Sequence, residues 1–103
     1  LFAQVLADAF EPLFAAAGAR RVLELGPGTG RFAGTVLREL AAAGAPPEEY
    51  LLLEVGATLR ARQPARVREL AGAAAGRARW LDALPERFDG VVFGNEVLDA
   101  LPC

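Results

Sequence analysis

The chain has no histidine and a single cysteine, Cys103, among its 103 residues. A zinc site needs several imidazole or thiolate ligands and a disulfide needs two thiols, so the sequence predicts neither a metal site nor an internal disulfide. Methionine is absent even at position 1, and the sequence begins inside an apolar helical pattern. We therefore expect residues 1–103 to be part of one domain, a fragment of a longer chain.

The chain also has no strong net charge of either sign. Its net charge is −2, and 53% of its residues are hydrophobic. This balance excludes a basic module that grips nucleic acid through its backbone phosphates. No uncharged apolar stretch reaches the length of about 18 residues that a membrane span requires, and no basic leader precedes the first helix. We expect a globular, cytoplasmic bacterial protein with no membrane span and no nucleic-acid partner.

Apolar residues recur at helical and strand spacings in alternation along the chain. The pattern predicts an α/β fold with an open, mostly parallel sheet and flanking helices, of the Rossmann-like type. The first helix should carry Phe2, Val5, Leu6, Phe10, Leu13 and Phe14 on one side, and Pro64 should break or kink the third. The predicted helices cover residues 1–17, 31–43 and 58–72, and the predicted strands cover 21–25, 50–55, 77–81 and 88–95.

Three glycines spaced two apart, Gly26, Gly28 and Gly30, follow the first predicted strand. Glycine tolerates positive φ and has no Cβ, so this loop can bring its backbone against a nucleoside-bearing ligand. A dinucleotide fingerprint that starts at Gly26 would need glycine where the chain has Arg31, whereas one that starts at Gly28 ends on the tolerated Ala33. An NAD-binding oxidoreductase therefore stays open as an alternative. The spacing E-x-G-x-G-x-G resembles more closely the first motif of class I S-adenosylmethionine (SAM) methyltransferases.

An acidic residue closes the second predicted strand. Glu54 follows Gly30 by 24 residues, close to the separation of about 20 residues at which α/β nucleoside-binding folds place a carboxylate for the ribose hydroxyls. The alternative is a charged strand end that faces water.

Polar residues also follow the fourth predicted strand. Ligands of open α/β sheets bind beyond the carboxyl ends of the strands, where neighbouring strands lead to opposite sides, and here that point falls between the first and fourth strands. Asn95, Glu96 and Asp99 should therefore reach the mouth of the crevice. Alternatively, Asn95 caps a helix and the two acids interact with the helix dipole.

Longer phrases of the sequence resemble the MidA-like family of class I methyltransferases. They are L-E-L-G-P-G-T-G-R, then Y-L-L-L-E-V with L-R-A-R-Q, and then R-W-L-D-A-L-P-E-R-F-D-G-V-V-F-G-N-E-V-L-D-A-L-P. The mitochondrial member of this family methylates arginine in a respiratory complex I subunit during assembly. The resemblance runs over residues 1–102, but the family's upstream segment and later strands are absent here. In addition, Gly56, Ala57 and Thr58 stand where the family has the sequence S-P-D.

The resemblance implies SAM as cofactor, an arginine-bearing protein as substrate and a role for each matching residue. Gly26, Gly28 and Gly30 would form the SAM loop, Glu24 would orient the methionine end directly or through water, and Glu54 would hold the ribose. Asp82 would face the adenine amino group. The alternative, of equal weight, is that Asp82 is only an acidic residue in the turn after the third strand.

Glu96 would pair with the acceptor guanidinium, and Asp99, on the same helical face, would hold a second nitrogen. Asn95 would lie beside them. Thr29 and Arg31 are secondary candidates for the cofactor carboxylate. Two further alternatives remain, namely a non-catalytic assembly factor and a methyltransferase that acts on a small molecule or on nucleic acid.

Overall fold

The computed structural model of the chain describes residues 2–94. Within that range the order of helices and strands confirms the predicted α/β fold, with an open parallel sheet and three α-helices. No helix among the described residues is long and apolar enough to cross a membrane. The elements are α1 Phe2–Ala17, β1 Arg21–Leu25, α2 Arg31–Ala42, β2 Glu49–Leu53, α3 Ala57–Ala71, a 3-10 helix Gly72–Arg77, β3 Ala78–Leu81 and β4 Val91–Phe93.

The four strands form one sheet in the order β3-β2-β1-β4, and every neighbouring pair is parallel. The chain moves outward in one direction from β1 to β2 and β3, and then returns to the other side of β1 for β4. The topological switch point therefore lies between β1 and β4, as the sequence predicts. The carboxyl end of β1, where the glycine loop begins, lies at the centre of the edge at which such sheets bind ligands.

Strand β4 is shorter than the predicted span of 88–95. Val22 pairs with Val91 and Glu24 pairs with Phe93, so Phe88 and Asp89 would lie opposite residues that precede β1 and have no strand to pair with. Phe88 instead contacts the guanidinium of Arg21, which lies 4.9 Å from its ring centroid. The register of β1 thus sets where β4 begins.

Helix α1 buries a narrower stripe than predicted. Ala7, Phe10 and Phe14 are buried against the sheet and α2, at the spacing of three and four residues that defines one helix face. The core therefore covers only part of the predicted apolar side. The exceptions are the exposed side chains of Phe2, Val5 and Leu13, which are 53%, 57% and 48% accessible.

Helix α3 continues through Pro64 without a break, so proline does not end the helix there. Proline removes one backbone hydrogen bond, a cost that tertiary packing can offset. Here the side chains on either side of the proline, Gln63 and Val67, are both buried. Their contacts hold the two turns of α3 in place around the missing bond.

Candidate functional site

The loop after β1 adopts a backbone conformation that favours glycine at three positions. Gly26, Gly28 and Gly30 have φ angles of +63°, +59° and +84°, in the left-handed region that L-residues rarely occupy. The Gly26 N–H donates to the carbonyl of Leu53 at the end of β2, at 2.9 Å. Gly30 then caps the start of α2. The loop is thus fixed to the neighbouring strand. Gly26 and Gly28 are partly exposed, whereas Gly30 is buried against α3.

Each of three adjacent strands is followed at once by a residue predicted for the site. Gly26 follows β1, Glu54 follows β2 and Asp82 follows β3. Leu25 pairs with Leu53, and Leu53 pairs with Leu81, so the three residues lie one step past paired positions at the same carboxyl edge. The structure therefore brings them together in a row, and Asp82 is exposed there.

Glu54 is half-buried and both of its carboxylate oxygens accept hydrogen bonds. Oε2 accepts from the backbone N–H of Gly56 at 3.0 Å, and Oε1 accepts from Nε2 of Gln63 at 3.1 Å. A carboxylate oxygen has room for two acceptor contacts, so each oxygen keeps capacity for one more donor. The side chain is held in one orientation rather than facing water freely.

Gln63 is a site residue that the sequence did not reveal. Its side chain is fully buried, and Nε2 donates to the carbonyl of Gly28 at 2.7 Å as well as to Glu54. Its Oε1 accepts from the indole N–H of Trp80 on β3 at 2.9 Å. Two signals were available in the sequence. Gln63 ends the phrase L-R-A-R-Q that carries part of the family resemblance, and it lies four residues before Val67, on the apolar side of α3.

Glu24 lies in the interior, one strand position before the loop. It is only 1% exposed, and its Oε1 accepts a 2.7 Å hydrogen bond from the hydroxyl of Tyr50, which is fully buried on β2. Burial raises the pKa of Glu24 above its usual 4.5, and the bond from Tyr50 partly opposes that rise. The pKa of Tyr50 is raised by its own burial and by the adjacent carboxylate.

A cavity of about 540 Å³ lies between the glycine loop and α1. Phe2, Leu6 and Phe32 supply apolar surface, while Thr29 and Arg31 supply polar atoms. The hydroxyl of Thr29 accepts from the Arg31 N–H at 3.3 Å, so it contributes to the start of α2. The cavity therefore joins the glycine loop to the N-terminal part of α1.

Asn95, Glu96 and Asp99 lie outside the described residues, so their placement and roles stay predictions. Gly94, the last described residue, directly follows β4. Because β4 is parallel to β1, the chain enters this segment at the edge that carries Gly26, Glu54 and Asp82.

Comparison with known proteins gives one family and several solved structures. A family model described as "Putative S-adenosyl-L-methionine-dependent methyltransferase" matches residues 1–103. A search of the curated proteins gives no match.

Two structures of COG1565 superfamily proteins from Burkholderia thailandensis are 51% identical to the chain and cover 98% of it. The first has a TM-score of 0.85, and the second, crystallised with S-adenosyl-homocysteine (SAH), has a TM-score of 0.84. The chain spans only 27% and 26% of their lengths. The methyltransferase domain of bacterial CtHen1 is 20% identical to the chain and shares its fold, with a TM-score of 0.61. The match covers 96% of this chain and 52% of the CtHen1 chain.

Proposed function

The chain belongs to the family of SAM-dependent methyltransferases whose model spans it, and we propose that the full-length protein transfers a methyl group from SAM to an acceptor. The family match confirms the predicted resemblance to MidA-like methyltransferases. A relative that is 51% identical to the chain was crystallised with SAH, the product that remains after methyl transfer, which supports the same cofactor here.

One observation carries the proposal: a left-handed triple-glycine loop lies beside an oriented, half-buried carboxylate. The residues fit a nucleoside with a free ribose diol. Gly26 and Gly28 present backbone without side chains, and Glu54 keeps one acceptor position on each oxygen. A carboxylate that accepts two hydroxyls makes charge-assisted hydrogen bonds and repels a 2′-phosphate.

The remaining residues of the edge would complete the cofactor site. Asp82, exposed one step beyond β3, would accept from the adenine amino group. Glu24, which is buried on β1, would orient the methionine end of SAM directly or through water. SAM supplies a methyl group already activated on a sulfonium, so the protein needs no covalent residue and must mainly align the acceptor and exclude water.

For the acceptor we propose an arginine side chain of a respiratory complex I subunit, as the MidA-like resemblance implies. Glu96 would pair with the guanidinium and Asp99 would hold a second nitrogen, leaving the reacting nitrogen more nucleophilic. The lone pair of the reacting nitrogen would form the new N–C bond as the methyl group leaves the sulfonium of SAM. The electron pair of the broken S–C bond would stay on sulfur, and SAH would be the leaving group. The nitrogen then loses one proton, during or after transfer, because free guanidinium is protonated in solution.

A methyl-transfer assay tests this proposal. The full-length protein is incubated with SAM that carries an isotope-labelled methyl group and with arginine-bearing peptides from complex I subunits. We expect label on arginine by mass spectrometry and none on the same peptides with lysine in its place. Cofactor binding with no labelled peptide would contradict the arginine acceptor, and cofactor binding without any turnover in a cell extract would indicate a non-catalytic assembly factor.

A further inference from the structure

We propose that Gln63 is the positioning residue of the cofactor site, which sets the carboxylate of Glu54 for the ribose and holds it at a fixed distance from the glycine loop. This inference rests on the proposed function. Gln63 touches no ligand position itself. It acts through Glu54 and Gly28, to which its Nε2 donates at 3.1 and 2.7 Å.

The three neighbours of Gln63 leave only one orientation for its amide. The indole N–H of Trp80 can only donate, so the atom that faces it must be Oε1. The carbonyl of Gly28 and the carboxylate of Glu54 only accept, so the atom that faces them must be Nε2. A flipped amide would set acceptor against acceptor on one side and donor against donor on the other. The side chain is therefore locked by its partners as well as by its burial.

The hydrogen bonds of Gln63 join three elements at the carboxyl edge of the sheet. Gln63 belongs to α3, Gly28 to the loop after β1, and Trp80 to β3. The loop also lies close against α3 nearby, because a Cβ at Gly30 would come within 3.4 Å of the Gln63 carbonyl. A shift of α3 would therefore move the loop and the ribose carboxylate together.

The two bonds to Glu54 also leave acceptor capacity on both of its oxygens. Gly56 donates to Oε2 and Gln63 donates to Oε1, so one acceptor position remains on each oxygen. Such a pair suits two neighbouring hydroxyls of one ribose. We expect Gln63 to govern cofactor affinity and to have little effect on the transfer step itself.

Two substitutions in the full-length protein test this role. Gln63→Glu keeps the shape but places a second carboxylate against Glu54 and Gly28, and Gln63→Met keeps the volume but removes both donors. SAH affinity is measured by calorimetry at about pH 8 and about pH 5.5, with a melting curve for each protein. We expect both variants to bind SAH at least about tenfold more weakly at the higher pH.

The pH profile separates positioning from general loss of structure. Two carboxylates that share a site hold one proton more tightly. A protonated carboxyl has one donor and can restore one of the two lost bonds, so the Gln63→Glu variant should recover part of its affinity at the lower pH. Gln63→Met should show no recovery. At saturating SAM, kcat should stay near the wild-type value while KM for SAM rises.

The matched control is Gln4→Glu. Gln4 is exposed on α1 and donates to a carboxylate, that of Asp8, at 2.8 Å, so the same change of charge beside an acid occurs away from the site. We expect unchanged SAH affinity. If either Gln63 variant fails to melt cooperatively, Trp80→Phe removes the donor that orients the amide and keeps an aromatic ring against the core. This variant should bind SAH about threefold more weakly.

The outcomes distinguish this inference from the function on which it rests. A wild-type protein that binds neither SAM nor SAH overturns both. A wild-type protein that binds SAH, together with folded Gln63 and Trp80 variants of equal affinity, overturns the role of Gln63 and leaves the proposed function standing.

Discussion

The hydroxyl of Tyr50 donates a 2.7 Å hydrogen bond to the carboxylate of Glu24, and both side chains are buried between the sheet and the helices. Tyr50 lies opposite Val22 in the β1–β2 register, and Glu24 lies opposite Leu52, so the bond crosses diagonally between the strands. It joins β2 to β1 near the end of β1 that leads into the glycine loop.

Removing this hydroxyl should destabilise the protein. Tyr50→Phe leaves the buried Glu24 carboxylate without the donor at its Oε1, and an unsatisfied buried group costs about 1–3 kcal/mol, or more when charged. We expect the free energy of unfolding to fall by about 2 kcal/mol or more near pH 8, measured by urea denaturation. Equal stability of variant and wild type would mean that the bond contributes nothing in solution.

The burial of Glu24 should make stability depend on pH. Its pKa is raised in the folded state by burial, from 4.5, so the folded state binds more protons than the unfolded state between that value and the raised pKa. The stabilisation is therefore complete below about pH 4.5 and is lost as pH rises through the folded-state pKa.

The Glu24→Gln variant isolates this effect, because glutamine does not titrate. The unfolding free energy of the wild type relative to the variant should decrease from about pH 4 to about pH 8. A difference that stays constant, or one that increases with pH, would contradict the assigned shift.

A single methyl group in the glycine loop should weaken cofactor binding. Gly28→Ala places an L-residue at φ +59°, which costs about 1–2 kcal/mol of backbone strain, and adds a Cβ where the ligand should approach. Gly44→Ala is the matched control, because its φ is +73° and a Cβ there would meet nothing within 4 Å.

We expect both variants to melt at lower temperature by similar amounts. Only Gly28→Ala should lose SAH affinity, by about tenfold or more. Equal affinity of the two variants in calorimetry would place the ligand elsewhere.

Substitution of Glu96 tests the proposed acceptor contact. If Glu96 holds the methyl acceptor, Glu96→Gln in the full-length protein should leave SAM affinity nearly intact and reduce methyl transfer by about 100-fold or more. Glu86→Gln, at an exposed position between β3 and β4, serves as the control. A lower melting temperature with normal turnover per folded molecule would instead assign Glu96 a structural role.

Much of the architecture could be predicted because it depends on local patterns. Apolar runs fixed the strands to within a few residues, and the rule for parallel sheets then placed Gly26, Glu54 and Asp82 at one edge. The length of β4 could not be predicted, because it depends on the register with β1, which joins residues far apart in sequence.

The buried polar contacts were beyond sequence reasoning for the same reason. Gln63 and Gly28 are 35 positions apart, and Tyr50 and Glu24 are 26 positions apart. The position of Gln63 four residues before Val67 places it on the apolar side of α3, but it does not identify the groups to which Gln63 bonds. The continuity of α3 through Pro64 likewise depends on tertiary packing, which overrides intrinsic propensity.

The account is tested most directly by calorimetric titration of the full-length protein with SAM, SAH and NAD under identical conditions. The glycine loop and the oriented carboxylate of Glu54 suit a ribose-bearing ligand. The glycine spacing, the family match and the SAH-bound relative then predict binding of SAM and SAH and no binding of NAD. Binding of NAD in preference to both would contradict the account and restore the dinucleotide-binding alternative.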